Sequence, residues 1–381
     1  MRTEKKPLSL YIHIPFCIRK CRYCDFLSFP ADQDKRELYL ECLSQEIGRK
    51  AQDLTGYEVQ TVFVGGGTPS LLSVSEMERI LGTVTDNYSM AQEREITVEA
   101  NPGTVSPAKL SGYVRMGVNR LSLGLQSADD AELAMLGRIH TYGDFLTTYE
   151  AARRAGFSNI NVDLMSALPG QTVQSYRDTL SRVLSLNPPP EHISAYSLIL
   201  EEGTWFYEHR PELPDEETDR LMYQMTCAVL KEKGYQRYEI SNYARPGFEC
   251  RHNKVYWTRG DYAGFGLGAA SLIGETRYSN SASFDAYVKT CGENVENVET
   301  LSREDQMEEF MFLGLRLTRG ISCMDFERAF GRSFWEIYGR TAQKLLGQGV
   351  LLCEKSAEDE RIFLSEYGLD VSNAVMAEFL L

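Results

Sequence analysis

Ser9-Leu-Tyr-Ile-His-Ile14 is a short alternating run that passes through Pro15-Phe16 straight into Cys17-Ile-Arg-Lys-Cys21-Arg-Tyr-Cys24. The alternation predicts a strand, and the three thiols at C-x3-C-x2-C spacing predict a metal site in the loop beyond it. Further strand-like runs begin at Val59 (VQTVFVG), Glu95 (EITVEAN), Asn119 (NRLSLGLQ), Asn159 (NINVDLM) and His192 (HISAYSLIL). Helical periodicity fills most intervals, over 35–52, 75–88, 107–116 and 173–186, and Ser106 before Pro107 is a good helix start. Strand and helix in alternation signal parallel βαβ units.

Where the polar residues fall favours a barrel over a doubly wound sheet. The cysteine loop follows the first run, Gly65-Gly66-Gly67-Thr68 the second, Glu99 and Asn101 end the third, Gln126 ends the fourth, and Asp163 lies in or near the end of the fifth. In a barrel all these positions open onto the carboxyl-end face, where active sites are built. The predicted fold is therefore α/β, an incomplete (β/α)6 barrel over residues 1–235. After Leu200 the alternation stops. A helical stretch over 216–233 leads to a loop-rich linking region, 236–300. The C-terminal region, 301–381, has helical patterns over 303–317, 324–330 and 334–347, two short strands and a last helix, the pattern of a small winged-helix-like module. Gly264-Phe-Gly266-Leu-Gly268 misses the dinucleotide-binding spacing and is read as a structural turn.

Bulk properties narrow the function. The 381 residues carry a formal net charge of −14, which disfavours nucleic acid and anionic lipid as general partners. Hydrophobic residues make up 43% and charged ones 25%, and no apolar run is long enough for a membrane span. The first sixteen residues lack a signal-peptide pattern, so a cytoplasmic location is expected. There, nine cysteines argue for metal ligands and buried thiols rather than a disulfide framework, with Cys42, Cys227, Cys291, Cys323 and Cys353 expected as small core residues. One segment, 236–260, departs from the acidic balance: five Arg or Lys stand against two Glu, a patch for an anion or an acidic partner, or simply a solvated loop.

A structural zinc site needs four ligands, and no fourth Cys or suitably spaced His follows Cys24 in the loop. A [4Fe–4S] cluster held by three thiolates instead keeps one iron open to an outside ligand. At this point the residues resemble the radical S-adenosylmethionine (SAM) superfamily, whose signature is this cysteine spacing with an aromatic residue, here Tyr23, before the last Cys. The resemblance implies a cluster on Cys17, Cys21 and Cys24, with the amino and carboxylate groups of SAM on the open iron, and one-electron cleavage of the sulfonium to a 5′-deoxyadenosyl radical. It further implies SAM contacts from Tyr11, Tyr23, Gly66, Gly67, Thr68, Glu99, Gln126, Arg138 and Asp163.

The YIHIPFC segment, 161-NVDLMSALPGQT and the stretch from Cys250 to Ser271 are similar to the coproporphyrinogen III oxidase-like branch over nearly the whole chain, and within it to the heme chaperones. Those imply heme as a further ligand, an HNxxYW motif at His252, Asn253, Tyr256 and Trp257 as its site, and a heme-acceptor protein as partner. The rival within the branch is an enzyme that oxidises porphyrinogen propionates. Its loop has a further Cys where this chain has Phe26, and it has an N-terminal extension where only ten residues precede Tyr11 here. Members of the branch often carry a His where this chain has Ala270. Read without the family, His252 is a hydrogen-bonded structural histidine, Tyr256 and Trp257 are core anchors, and Cys250 is either a soft iron ligand or a buried thiol.

Overall fold

The computed structural model describes residues 5–381. All six expected strands form: β1 (Lys6–Ile14), β2 (Tyr57–Gly66), β3 (Met90–Ala100), β4 (Arg120–Gln126), β5 (Ile160–Ser166) and β6 (His192–Ser197), paired in parallel in that order. The crossovers carry α1 (Gln33–Lys50), α2 (Val74–Asn87), α3 (Pro107–Arg115), α4 (Asp130–Met135) with α5 (Tyr142–Ala155), and α6 (Val173–Leu184). Their starts are written in the sequence. Asp32, Ser73, Ser106, Thr141 and Thr172 each accept a backbone N–H from the first turn of the helix they precede, satisfying donors that the helix itself leaves unpaired.

The strands alternate with unusual clarity. Leu8, Leu10, Ile12 and Ile14 of β1, Val62 and Val64 of β2, Ile96 and Val98 of β3, Leu121 and Leu123 of β4, and Val162 and Leu164 of β5 are buried in one apolar core with the helices. Burial of such side chains contributes about 1.5–3 kcal/mol each. The intervening residues are polar or aromatic and pair across the sheet as Ser9 with Thr61, Thr61 with Glu95, Thr97 with Arg120, Ser122 with Asn161 and Asn161 with His192. A flat sheet of six strands would place β1 and β6 roughly 24 Å apart. Instead, residues of β2 through β6 line a single cavity of about 400 Å³, so the sheet curls with its polar face inward, the partial barrel expected.

The region expected to be a loop-rich linker is built differently. After α7 (Trp205–His209) and α8 (Glu216–Glu232), β7 (Gln236–Arg237) and β8 (Asn242–Ala244) extend the sheet antiparallel beyond β6. The chain then crosses through α9 (Arg251–Trp257) to β9 (Tyr262–Phe265), which pairs in parallel with β1 at the other edge. There β10 (Ala270–Ile273), β11 (Thr276–Asn280) and, after α10 (Phe284–Thr290), β12 (Val295–Thr300) complete a twelve-stranded sheet. Strands of two to six residues are too short to show a readable alternation. The Gly264–Gly268 run is the end of β9 and the turn after it, with Gly266 and Gly268 at φ 91° and 67°.

The C-terminal part folds around its own core. α11 (Arg303–Gly314), α12 (Cys323–Phe330) and α13 (Phe334–Gly347) surround Phe326, Phe334, Tyr338 and Phe379, against a small sheet of β13 (Ile321–Ser322), β15 (Glu360–Leu364) and β14 (Leu351–Lys355). Glu309 of α11 pairs with Arg259 at 3.0 Å and Arg277 at 2.7 Å, which ties this core to the segment after α9 and to β11.

Two sequence expectations change. Cys42 and Cys291, expected as separate core thiols, are bonded as a disulfide joining α1 to the end of α10; 249 residues apart, they share no sequence pattern that announces the pairing. The cations of 236–260 do not form an open patch either. Arg237 packs on Tyr223, Arg245 on Tyr235, Arg251 donates to Glu93 O, Lys254 pairs with Glu249 and Arg259 with Glu309.

Candidate functional site

The cavity opens at the carboxyl ends of the strands, and Cys17, Cys21 and Cys24 line its mouth beside Tyr23, Gly66, Gly67, Thr68, Glu99, Gln126, Arg138 and Asp163. Eleven of the residues expected at a cluster and SAM site are thus brought together; Tyr11 is not on the wall. Its ring stacks on Phe63 and its hydroxyl donates to Nδ1 of His13 at 3.0 Å. His13 in turn donates from Nε2 to Leu27 O at 2.8 Å, so strand β1 props the far side of the cysteine loop through one imidazole.

Gly66 stands at φ 108°, and a Cβ there would run into the His13 ring. Its amide donates to Glu99 Oε2 at 3.0 Å. Thr68 Oγ1 lies 3.4 Å from Cys17 Sγ and accepts from Asn101 Nδ2 at 3.0 Å. Arg138 donates to Asn101 Oδ1 and Gly124 O, both at 2.6 Å, and reaches Cys21 Sγ at 3.7 Å. Asn101 is therefore the hinge of this polar belt, although sequence reasoning placed it only as the end of a strand. Ser122, Met165, Tyr196 and the exposed Phe26 and Ile199 also line the cavity and were not anticipated. The alternation of β4, β5 and β6 contained that signal: Ser122, Asp163 and Tyr196 are all inward positions.

Burial, mutual repulsion with Cys21 and Cys17, and little compensating charge push the Cys24 thiol up to about 11. Among the described residues no three His, Cys, Asp or Glu groups converge tightly enough for a single ion. That suits a cubane, in which each thiolate takes a different iron and the three sulfurs need not meet at a point. Three unpaired thiols around a polar cavity, with Arg138 beside one of them, fit a cluster with an open iron.

Burial and the nearby Asp163 carboxylate raise Glu99 to about 8. A carboxyl raised on folding supports the fold fully below its unfolded value, near 4.5, and loses that support as pH climbs to 8. Glu99→Gln should therefore gain stability over wild type as pH rises from 5 to 9, by on the order of 1–2 kcal/mol at the upper end, since cavity water moderates the desolvation. Urea unfolding of both proteins at the two pH values measures it; a pH-independent difference refutes the assignment.

The residues expected to hold heme lie elsewhere. α9 closes the opposite, amino end of the barrel: Glu95, four residues before Glu99 on β3 and so about 13 Å below it, accepts the backbone N–H groups of Arg251 and His252, each at 3.1 Å. His252, expected in a polar loop, is 1% exposed. Thr61 donates its own proton to Ser9, so it accepts from His252 Nδ1 at 2.7 Å, and Nε2 accepts from Tyr256 Oη at 2.8 Å. Burial followed by the Arg120 charge lowers this imidazole to about 3, keeping it neutral. Asn253 is half-buried in α9, Trp257 packs under Arg316 at 4.4 Å, Cys250 is fully buried against Glu95, and Ala270 is exposed on β10. The sequence motif could not show this, because a loop and a seven-residue helix plugging a barrel look alike in the chain. His252→Ala should cost about 2–4 kcal/mol, the sum of a small cavity and the half-buried Tyr256 hydroxyl left without its acceptor, read as a fall in urea midpoint.

Comparison with known proteins now bears on the site. The radical SAM superfamily model matches residues 11–183, and a model of the HemN C-terminal domain matches 301–371. The chain is 37% identical to the heme chaperone HemW of Lactococcus lactis over 99% of its own length and 98% of that protein. The chain belongs to the HemW family. The Escherichia coli HemW is 42% identical over 70% of each chain. The structure of E. coli coproporphyrinogen III oxidase, itself described as a radical SAM enzyme, superposes with a TM-score of 0.85 over 99% of this chain and 90% of that one, at 24% identity, and shares the fold. Radical SAM membership implies a [4Fe–4S] cluster and SAM, and the cavity described above is where the residues suited to both are gathered.

Proposed function

We propose that this protein is a heme carrier that binds heme, holds a SAM-ligated [4Fe–4S] cluster, and passes heme to an acceptor protein. The observation that carries the reading is full-length similarity to proteins named as heme chaperones, 37% identity over 99% of the chain. In this reading Cys17, Cys21 and Cys24 hold the cluster. Gly66 and Gly67 let SAM approach the backbone, Glu99 and Asp163 accept from its amino or hydroxyl groups, and Arg138 and Asn101 fix the belt that shapes the pocket. The bound pair supplies one-electron chemistry at the sulfonium. A reducing, cytoplasmic compartment would keep the three thiols available for iron.

The test is anaerobic titration of cluster-reconstituted protein with hemin, followed by optical spectroscopy. Saturation at one heme per chain, with no tetrapyrrole product when SAM and reductant are added, is the expected result. Steady conversion of coproporphyrinogen under the same conditions would overturn the carrier reading in favour of a porphyrinogen-oxidising enzyme.

A further inference from the structure

Asp163 lines the cavity, and its Oδ1 accepts from Asn161 Nδ2 at 2.7 Å. The cation on the same wall, Arg138, is bonded to Asn101 Oδ1 and Gly124 O instead. Asn161 precedes Asp163 by two residues on β5, about 7 Å deeper in the barrel, and is buried. Its Nδ2 also donates to Ser122 Oγ at 2.8 Å, and its Oδ1 accepts from Ser194 Oγ at 3.1 Å and from Nδ1 of His192 at 2.6 Å. His192 is its register partner on β6 and is fully buried. Nε2 of that imidazole accepts from Tyr238 Oη at 2.9 Å, and Tyr238 Oη in turn accepts the backbone N–H of Cys250, the cap of α9, at 3.3 Å.

The two ends of this chain of bonds fix the direction of every proton between them. A backbone amide only donates, and a carboxylate only accepts. The Tyr238 proton therefore goes to Nε2, the imidazole proton sits on Nδ1, and Asn161 turns its oxygen to His192 and its nitrogen to Asp163. Burial, followed by the Arg120 charge, holds the imidazole neutral, so this tautomer persists. All donors point from α9 toward Asp163, an arrangement in which each bond polarises the next. Apolar side chains of like volume would fill the same inward layer at less cost in desolvation. The chain ends instead on a carboxylate of the cavity wall.

We infer that His192 is a positioning residue for the SAM pocket: with Asn161 it holds the Asp163 carboxylate at the angle at which it meets SAM, and through Tyr238 it makes that angle depend on the seating of α9 in the barrel floor. The inference rests on the proposed reading of the cavity as a SAM site, and it adds to that site a residue outside the cavity wall.

SAM is titrated calorimetrically, without oxygen, into cluster-loaded wild type, Asp163→Ala, His192→Leu, His192→Asn, Tyr238→Phe, and the doubles of Asp163→Ala with His192→Leu and with Tyr238→Phe. Urea unfolding followed by far-UV circular dichroism reports which of them are folded. His192→Leu should bind SAM roughly tenfold more weakly, and His192→Asn, whose side-chain amide donor falls near the place of Nδ1, should return to within about threefold of wild type. Tyr238→Phe removes one half-buried hydroxyl and should fold, with SAM binding weaker by roughly threefold; it carries the test if His192→Leu does not fold. Each double should bind no more weakly than Asp163→Ala alone, because residues acting through one group do not add. Lowered stability with unchanged SAM affinity in the His192→Leu and Tyr238→Phe singles, losses that add in the doubles, or no recovery in His192→Asn would each overturn the inference and leave the SAM pocket standing. Wild-type affinity in Asp163→Ala, or no saturable SAM binding by the wild type, would overturn the reading of the pocket and the inference with it.

Discussion

Cys21→Ala should leave a folded chain that no longer retains a four-iron cluster, with bound iron and acid-labile sulfide falling to a small fraction of the reconstituted wild type. Cys21 is half-buried and its sulfur has one long contact, from Arg138 at 3.7 Å. Removing so small and partly wet a group costs the fold on the order of 1 kcal/mol or less. The effect on the cluster is of another size. Three thiolates are the minimum that still anchors a cubane while keeping one iron open; two leave a second iron to solvent and the cluster prone to loss. Iron and sulfide analysis beside circular dichroism separates the two effects. Full iron content in the folded variant would refute the assignment of Cys17, Cys21 and Cys24 as ligands.

Gly66→Ala should damage both the fold and the proposed SAM pocket. At φ 108° an L-residue is strained whatever surrounds it. Here the added methyl also meets the ring of His13, which cannot swing aside without releasing both Tyr11 and Leu27. Leu27 follows the cysteine loop, so the displacement is carried to the thiols. Strain of 1–3 kcal/mol and a comparable packing cost give a loss of about 2–5 kcal/mol. SAM binding should weaken by more than tenfold, because the amide that donates to Glu99 moves with the turn. Urea unfolding and calorimetric titration with SAM are the readouts; Gly67→Ala, which would press on Phe16 and Ile14 backbone atoms instead, should be similarly harmful. A Gly66→Ala protein with wild-type stability and SAM affinity would show that the turn is not held as described.

The barrel was legible because its strands obey one rule along their length. In β1, Leu8, Leu10, Ile12 and Ile14 face helices while Ser9, Tyr11 and His13 face inward. A period-two pattern of that length identifies strand, face and register together. The cysteine loop was legible for a local reason too, since its chemistry resides in eight consecutive residues. The extension of the sheet by β7 to β12 was not, because its strands are short and their partners are distant: β9 finds β1 across 250 residues of sequence. No local periodicity encodes a pairing of that kind.

The histidines mark the same boundary most clearly. By sequence alone, residue types and spacings determined the βαβ order, the three closely spaced thiols, the glycine turn beside them and the family. Tertiary structure alone decided which side chains are accessible and which are paired. His252 sits in a recognisable motif but is sealed by Thr61 and Tyr256, whereas His209 has no motif and stands with a free nitrogen at the surface. The physical reason is that a side chain's chemistry depends on its solvation and hydrogen-bond partners, and these are supplied by residues far away in the chain, here Thr61 at a separation of 191.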